Sequence, residues 1–296
     1  MYILFPSSYL NRRRVDEAFQ KEYDAAIEAG HCPMLFNQQQ YDERKYVILN
    51  MYPRTKEPII YRGWMMKPNH YEMFYRQLKE SNVELTTSPK EYTTLHCFPF
   101  IYPRISKDTP RIQDYSEFYY PALKKEGIAL SKINPAFDRF LIKDFAKSAK
   151  NTDFPAYFDK NTTQEEFDFW LKRFYEIRGD LFTEGIVIKE YVDLKKYQDK
   201  TNEFRVFYAN GEPISISRNS LQPTYTPSVP KELVQKYKNL PSLFYTVDYA
   251  EKEDGSWIII ETGDGGVSGL SEGQNYDSFY RALDIAFNNE IKMEKE

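Results

Sequence analysis

The spacing of hydrophobic and polar positions changes along the chain, and the changes outline alternating strands and helices. A polar-apolar stretch from Asn11 to Ala29 ends at Gly30 and predicts a helix, and a second helix is predicted from Pro68 to Glu80, with proline in its first turn. Short apolar runs predict four strands, at 2–5, 34–36, 46–49 and 59–61. This alternation favours a mainly parallel sheet covered by helices, which is an α/β arrangement.

From Ser88 onward the pattern is different. Ser88 before Pro89 predicts a helix start, and the prolines at 99, 103, 110 and 121 predict a broken connection that could serve as a lid, as could the loop at 144–162. A helix is predicted from about Thr163 to Ile177 and another from about Tyr276 to Asn288, before a charged tail that is expected to fray. Apolar runs predict strands at 140–146, 185–194, 203–218, 243–250 and 256–263.

Two hairpins are predicted in the last third of the chain. Asn210-Gly211 is a typical type I′ turn within 203–218, and Asp254-Gly255 is expected to join the last two strands through two residues. We place the main domain boundary near residue 85, which gives domains at 1–85 and 86–290, the second divided into parts at 86–192 and 193–290.

Composition and charge narrow the class of protein. The 296 residues are 41% hydrophobic and 28% charged, close to an ordinary globular chain, and the net charge of −4 gives no broad basic field for nucleic acid. Two cysteines, no apolar run long enough to span a bilayer and no signal peptide predict a cytoplasmic protein without contact to a membrane. The oligomeric state stays open.

A pair of carboxylates carries the most information about chemistry. With a two-residue turn at Asp254-Gly255, Asp248 and Glu261 would face each other across the ladder. Like charges in this position are destabilising unless a cation lies between them, and Mg²⁺ prefers such oxygens. Asp264 could add a ligand from the following turn. The alternative is a pair of solvated surface acids.

Several cations lie on other predicted strands. Lys143 and Lys147 flank the end of FLIKDFAKS, while Arg205 and Arg218 lie on the two arms of the first hairpin. Phosphates bound beside a metal need such fixed counter-charges, although each of these cations could equally be an ordinary surface residue. Arg62 follows a predicted strand end, where it could clamp a substrate carboxylate or form a buried salt bridge.

Other nucleotide and hydrolase signatures are missing from the sequence. GxxxxGK[ST], a GxGxxG after the first strand and GxSxG do not occur. The three histidines, at 31, 70 and 96, lack ligand spacing and are interpreted as surface or packing residues, which disfavours a zinc enzyme.

The order of these motifs resembles the ATP-grasp superfamily and its RimK-related branch. EFRVFYANGEPISISR and YTVDYAEKEDGSWIIIETGDGGVSGL are similar to its arginine and metal-binding strands, FLIKDFAKS to its phosphate-binding lysine strand, and GIVIKEYVDL to its adenine-binding hinge. The segments LFPSSYLNRRRVDEAFQKEYDAA, IIYRGW and TSPKEY resemble a bacterial and phage branch of the superfamily. The resemblance implies an ATP-grasp fold with an N-terminal pre-ATP-grasp domain.

The resemblance also implies a role for each candidate residue. Lys143 and Lys147 would contact the α- and β-phosphates of ATP, and Arg205 and Arg218 would steady the γ-phosphate. Further residues would bind the adenine and ribose, namely Glu190, Tyr191, Val192 and Glu203. Mg²⁺, or Mn²⁺ in its place, would be held by Asp248 and Glu261 with Asp264, because Gly263 stands where the family commonly has asparagine.

The activity implied is an ATP-dependent carboxylate-amine or carboxylate-thiol ligase that works through an acyl-phosphate. Its substrates would be a small-molecule or peptide carboxylate and an amine acceptor. Two other functions stay open at this point: a phosphotransferase on the same scaffold, and a binding module that has lost catalysis.

Overall fold

The N-terminal part of the chain forms a parallel sheet flanked by helices. A computed structural model of the protein describes residues 1–54, 59–117, 123–133, 135–149 and 152–293. Strand β1 lies in the middle, in the order β2-β1-β3, and both neighbours run parallel to it, as the pattern predicted. The elements are β1 (Tyr2–Pro6), α1 (Gln20–Glu28), β2 (Cys32–Phe36), α2 (Gln38–Arg44), β3 (Ile59–Tyr61) and α3 (Pro68–Glu80).

The strand predicted at 46–49 is wrong. Only Leu49 forms an isolated bridge there, to Phe36, because side chains rather than a neighbouring strand bind this backbone: the Gln77 side chain accepts from Val47 N at 2.9 Å and donates to Lys45 O at 2.7 Å. The preceding helix α2 was missed. It begins after Asn37, whose side chain accepts a hydrogen bond from the third residue of the helix, as N-cap residues do.

The helix predicted over 11–29 is shorter than expected. Residues 7–15 form a loop that is closed by a bridge between Ser7 and Val15. Asp16 then caps a short 3₁₀ turn at Glu17–Phe19 before α1 begins at Gln20. An N-cap aspartate is thus the start signal, and the arginines before it are not helical.

Two helices connect the N-terminal sheet to the rest of the chain. Ser88 and Glu91 form a reciprocal capping box at the start of α4 (Pro89–His96), which confirms the predicted helix start. Helix α5 (Phe98–Ile105) contains Pro99 and Pro103, so these prolines do not break the chain as predicted. Pro99 lies in the first turn, where no backbone N–H is needed, and Ile101 and Ile105 are fully buried, which rules out a lid at this place. Pro121, the last proline of the predicted connection, lies outside the described residues.

A second sheet is antiparallel and has the strand order β4-β7-β5-β6. One face, with Phe140, Ile142 and Ile188, packs against helix α7, whose cap is Thr163. The other face is left for the site described below. The elements are β4 (Ile112–Ser116), α6 (Leu123–Glu126), β5 (Arg139–Asp144), β6 (Phe158–Asp159), α7 (Gln164–Arg178) and β7 (Gly185–Glu190).

A third sheet, of order β11-β10-β12-β13, lies between two apolar cores. On one face Val206 and Tyr245 pack against α4 and α5, and on the other Phe207 and Phe244 join the N-terminal sheet and α9. A core shared in this way ties the two ends of the chain together. The elements are β8 (Lys196–Tyr197), β9 (Lys200–Thr201), β10 (Glu203–Ala209), β11 (Glu212–Arg218), α8 (Lys231–Lys236), β12 (Phe244–Glu251), β13 (Trp257–Asp264) and α9 (Tyr276–Met293).

The first hairpin turns as predicted and the second does not. Asn210 and Gly211 have φ values of 49° and 78° and join Ala209 to Glu212, as a two-residue type I′ turn requires. In the second hairpin Lys252 N donates to Ser256 O at 2.8 Å, so the loop has three residues, ending at Gly255.

A bulge between Asp248 and Tyr249 corrects the register of this hairpin. Glu251 pairs with Trp257 next to the loop, but beyond the bulge Asp248 faces Glu261. The predicted pairing of the two carboxylates is therefore confirmed by a different route, with one extra residue in the loop and one in the strand. No described helix combines the length and apolar character needed to cross a bilayer. The final residues of the tail predicted to fray, 294–296, lie outside the described residues.

Candidate functional site

A cavity of about 680 Å³ opens between the second and third sheets, within the usual size range of small-molecule sites. Its apolar wall includes Leu141, Ile142, Phe154 and Ile260. Six of the residues singled out in the sequence line it: Lys143, Glu190, Tyr191, Val192, Glu203 and Glu261.

Lysines gather around one carboxylate at the inner end of this cavity. The Nζ atoms of Lys143 and Lys147 lie 3.8 Å and 3.2 Å from Glu261 Oε1. Lys143 is buried on β5, so its charge depends on that carboxylate, and both lysines come from a different sheet than Glu261. The sequence grouped these cations correctly with the acidic strand.

Lys189 belongs to the same cluster and was missed. Its buried Nζ donates to Ile260 O at 2.7 Å and lies 4.0 Å from the ring centre of Phe98, against which Lys143 also packs at 5.1 Å. The alternation along β7 contained the signal: Ile186 and Ile188 face the apolar core, which turns Lys189 to the opposite face.

His96 is a packing residue, as interpreted, but a deeply buried one. Its ring stacks on Tyr92 with centres 5.1 Å apart. Burial, aided by the charge of Lys147, lowers the pKa of His96 to about 3, so the ring is neutral beside the lysine cluster.

Arg205 and Asp248 form a bidentate ion pair on the face of the third sheet that carries Glu261. Arg205 Nε and Nη2 donate to the two oxygens of Asp248 at 2.8 Å and 2.7 Å, and Nη1 donates to Gly269 O at 3.0 Å. Burial lowers the pKa of Arg205, but the Asp248 carboxylate outweighs it and holds that pKa above its usual range. The arginine is thus fixed in direction and remains charged.

Arg218 lies on the opposite face of this sheet. It pairs with Phe204, one residue away from Arg205 on β10, and its guanidinium lies 5.0 Å from the Phe204 ring centre. Its Nη2 donates to Thr226 O at 3.0 Å. The structure therefore does not bring Arg218 together with the pair of carboxylates.

Asp264 is also separated from Asp248 and Glu261, contrary to prediction. It is the last residue of β13, three positions after Glu261, and alternation turns it to the other face. It is 1% exposed and accepts from Gly266 N at 2.8 Å, and burial raises its pKa to about 7. The glycine-rich turn packs against the N-terminal sheet, since a Cβ at Gly266 would lie 2.6 Å from Tyr61 O.

Arg62 is buried and does not face a substrate. It is 1% exposed and forms a bidentate pair with Glu22, both distances being 2.8 Å, while Nη1 donates to Ser268 O at 2.8 Å and to Gly265 O. Of the two predicted alternatives the structure shows the salt bridge. It joins β3 and α1 to the glycine-rich turn.

Aromatic rings and ion pairs border the outer end of the cavity. Glu190 is held by Arg111 at 2.9 Å and 2.6 Å, and this hydrogen bonding lowers its pKa. The ring of Tyr191 lies 4.7 Å from that of Tyr157, with Arg139 over both.

Glu203, also at this end, accepts from Thr201 Oγ1 at 2.5 Å and from Asn219 Nδ2 at 2.7 Å. The cavity thus has an apolar, aromatic end and a cationic end, which suits an elongated ligand with a flat ring and an anionic group.

The comparison with protein families gives one match, over residues 133–283, to an ATP-grasp domain, family 3 of its clade. This span contains the lysine strand, the hinge and both hairpins. The search of the curated proteins found no match.

Solved structures with similar folds include several ATP-grasp proteins. The D-cycloserine synthetase DcsG is 12% identical, with a TM-score of 0.56 over 96% of this chain and 98% of that one. A RimK domain ATP-grasp protein from Sphaerobacter thermophilus has the same identity and a TM-score of 0.54, over 96% and 98% of the two chains. D-alanine–D-alanine ligase from Bacillus anthracis, complexed with ATP, is 13% identical, with a TM-score of 0.52 over 99% and 97%. At these identities the likeness concerns the fold.

Proposed function

Because this chain belongs to the ATP-grasp domain proteins, in family 3 of its clade, we propose that it is an ATP-dependent ligase that activates a carboxylate as an acyl-phosphate and joins it to an amine or a thiol. The observation that supports this most is the convergence of Lys143, Lys147 and Glu261, from two sheets, at one end of an apolar cavity. Fixed cations of this kind are what phosphoryl transfer requires, since its catalysis is mostly positioning and charge stabilisation.

ATP would lie along the cavity with its base at the outer end. The walls near Tyr191 and Val192 are apolar and aromatic, which suits adenine, and Glu203 lies close enough to line the ribose side. The triphosphate would point inward to Lys143, Lys147 and Lys189. In the free protein Glu261 neutralises the first two lysines, and we expect these ammonium groups to turn toward the phosphates on binding.

The chain offers a site that fits Mg²⁺ or Mn²⁺. Among the described residues no three His, Cys, Asp or Glu side chains gather as a metal cage, but Asp248 and Glu261 face each other on one side of the third sheet. Two carboxylates are sufficient, because Mg²⁺ is usually held by one or two of them together with phosphate oxygens and water. When bound, the metal would neutralise the phosphates.

Arg205 would stabilise the transferring phosphoryl group. Asp248 and the carbonyl of Gly269 fix its guanidinium beside the proposed metal position, so no reorientation is needed during the reaction. Arg218 and Asp264 have no part in this mechanism because they lie on the other face. For the chain as a whole we keep the proposed division into domains 1–85 and 86–290.

The proposal is tested by titrating ATP into the protein with and without Mg²⁺. The double variant Asp248→Asn/Glu261→Gln should lose the part of the affinity that depends on Mg²⁺. Asp254→Asn is the matched control, since it changes an exposed carboxylate in the loop of the same hairpin and should bind as the wild type does.

ADP release with pools of amino acids and acidic peptides, in the presence of hydroxylamine, then tests the reaction. An acyl-phosphate would be trapped as a hydroxamate, whereas direct phosphorylation of a hydroxyl acceptor would give ADP and no hydroxamate. A wild-type protein that binds no nucleotide would refute the assignment of these residues.

A further inference from the structure

The loop between β1 and α1 presents charges and apolar groups that the fold does not use. Arg12, Arg13 and Arg14 are exposed, and no ion pair joins them to a carboxylate anywhere in the described ranges. Leu10 is 98% exposed and Tyr9 is 52% exposed. We call residues 7–15 the arginine loop.

The arginine loop is ordered by its own backbone. Ser8 N donates to Arg14 O at 2.8 Å and Arg14 N donates to Asn11 O at 2.9 Å, while the Asn11 side chain accepts from Arg13 N at 3.0 Å. At its base Ser7 pairs with Val15, which is buried. An ordered loop therefore holds three guanidinium groups and a leucine out in solvent.

This loop lies at the carboxyl edge of the parallel sheet, where ligands of such sheets tend to bind. It follows β1 directly, and the hydroxyl of Tyr9 donates to Asp42 on α2. On the other side Trp64, which follows β3 and is 46% exposed, donates from Nε1 to Asp16 at 3.3 Å. Met65, 42% exposed, continues the apolar surface.

The same edge is connected to the phosphate end of the proposed site. Gly63 N donates to Gly266 O at 3.0 Å, and the glycine-rich turn continues to Gly269, whose carbonyl accepts from Arg205. A chain that rests on the arginine loop and passes Trp64 would reach this turn next.

We propose that the arginine loop, with Trp64 and Met65, is the docking surface for an acidic peptide segment that carries apolar side chains, and that the substrate carboxylate belongs to this peptide. Charge complementarity favours this occupant: three unpaired arginines attract carboxylates, while Leu10 and Met65 offer apolar contacts that a phosphate backbone cannot use. The net charge of −4 leaves no extended basic field for nucleic acid. The substrate assignment rests on the proposed ligase function, but the docking surface itself does not.

Binding without ATP separates the two. A fluorescein-labelled peptide of alternating Glu and Leu is titrated into the wild type and followed by fluorescence anisotropy, beside a Lys-Leu peptide and a single-stranded oligonucleotide. The triple variant Arg12→Gln/Arg13→Gln/Arg14→Gln should bind the acidic peptide about tenfold more weakly, as expected for three exposed charge pairs. Leu10→Ser should weaken it as well.

The matched control removes three exposed cations elsewhere. Arg104→Gln/Lys160→Gln/Lys172→Gln changes the net charge equally and should leave peptide binding within twofold of the wild type. Equal binding by wild type and arginine-loop variant, equal losses in both triple variants, or no measurable binding would overturn the proposal. An oligonucleotide that binds as tightly as the peptide would overturn the choice of partner.

ATP titration of the same proteins keeps the two proposals apart. The arginine-loop variant should bind ATP as the wild type does, because it changes no residue of the cavity. Peptide binding in a protein that does not bind ATP would refute the ligase and the substrate assignment, and leave the docking surface standing.

Discussion

Replacing Arg62 by methionine should unfold the protein far more readily, because Arg62 forms a buried ion pair. Both partners are nearly inaccessible, and the side chain also donates to two carbonyls of the glycine-rich turn. Removal of one partner of such a pair costs about 3–5 kcal/mol, since the other charge stays buried and unpaired. Glu22 would be that charge, retaining only the hydroxyl of Tyr280, 2.7 Å away.

Urea unfolding followed by circular dichroism measures this cost. Arg62→Met and Glu22→Gln should each lower the free energy of unfolding by several kcal/mol, and the double variant by less than their sum, because the residues share one interaction. Arg281→Met is the matched control, an exposed arginine in an i,i+4 pair whose loss should cost less than about 1 kcal/mol. If Arg62→Met left stability within about 1 kcal/mol of the wild type and changed only the affinity for a substrate, the structural assignment would be refuted.

Three further predictions concern single sites. Asp264, with its pKa raised to about 7, binds its proton more tightly in the folded state, so stability should fall as pH rises from about 4 to 7; Asp264→Asn should abolish this slope in urea titrations at successive pH values. Lys143→Met should weaken ATP binding about 10- to 100-fold in calorimetry, through loss of a charged hydrogen bond, without a change in the unfolding midpoint beyond that of other core substitutions. Gly185→Ala should destabilise by about 1–3 kcal/mol in urea, because its Cβ would lie 2.2 Å from Tyr115 O, whereas Gly269→Ala, in open space, should not.

Local signals were sufficient for most elements of the last two sheets. Strands with alternating or continuous apolar runs were located to within a few residues, and the Asn210-Gly211 turn was identified, because side-chain period and turn chemistry act within a few residues of the chain. The N-terminal region was harder to predict. Residues 46–49 have an apolar run but no partner strand, and an N-cap asparagine begins a helix where none was predicted.

The candidate site divides in the same way. Asp248 opposite Glu261 and the lysines of β5 were recognised from motif order, and the structure brings them together. Asp264 and Arg218 were grouped with them by proximity in sequence, and strand alternation places both on the other face.

The sequence by itself determined which residue types are present at each strand end and how the hairpins begin, because those depend on neighbours in the chain. Only the tertiary structure decided which charges meet. The bulge at Asp248 sets the carboxylates opposite each other despite a longer loop, and the packing of the glycine-rich turn on β3 buries Arg62 against Glu22. Both outcomes depend on contacts between segments far apart in sequence, where burial decides whether a charge is paired inside the protein or left for a ligand.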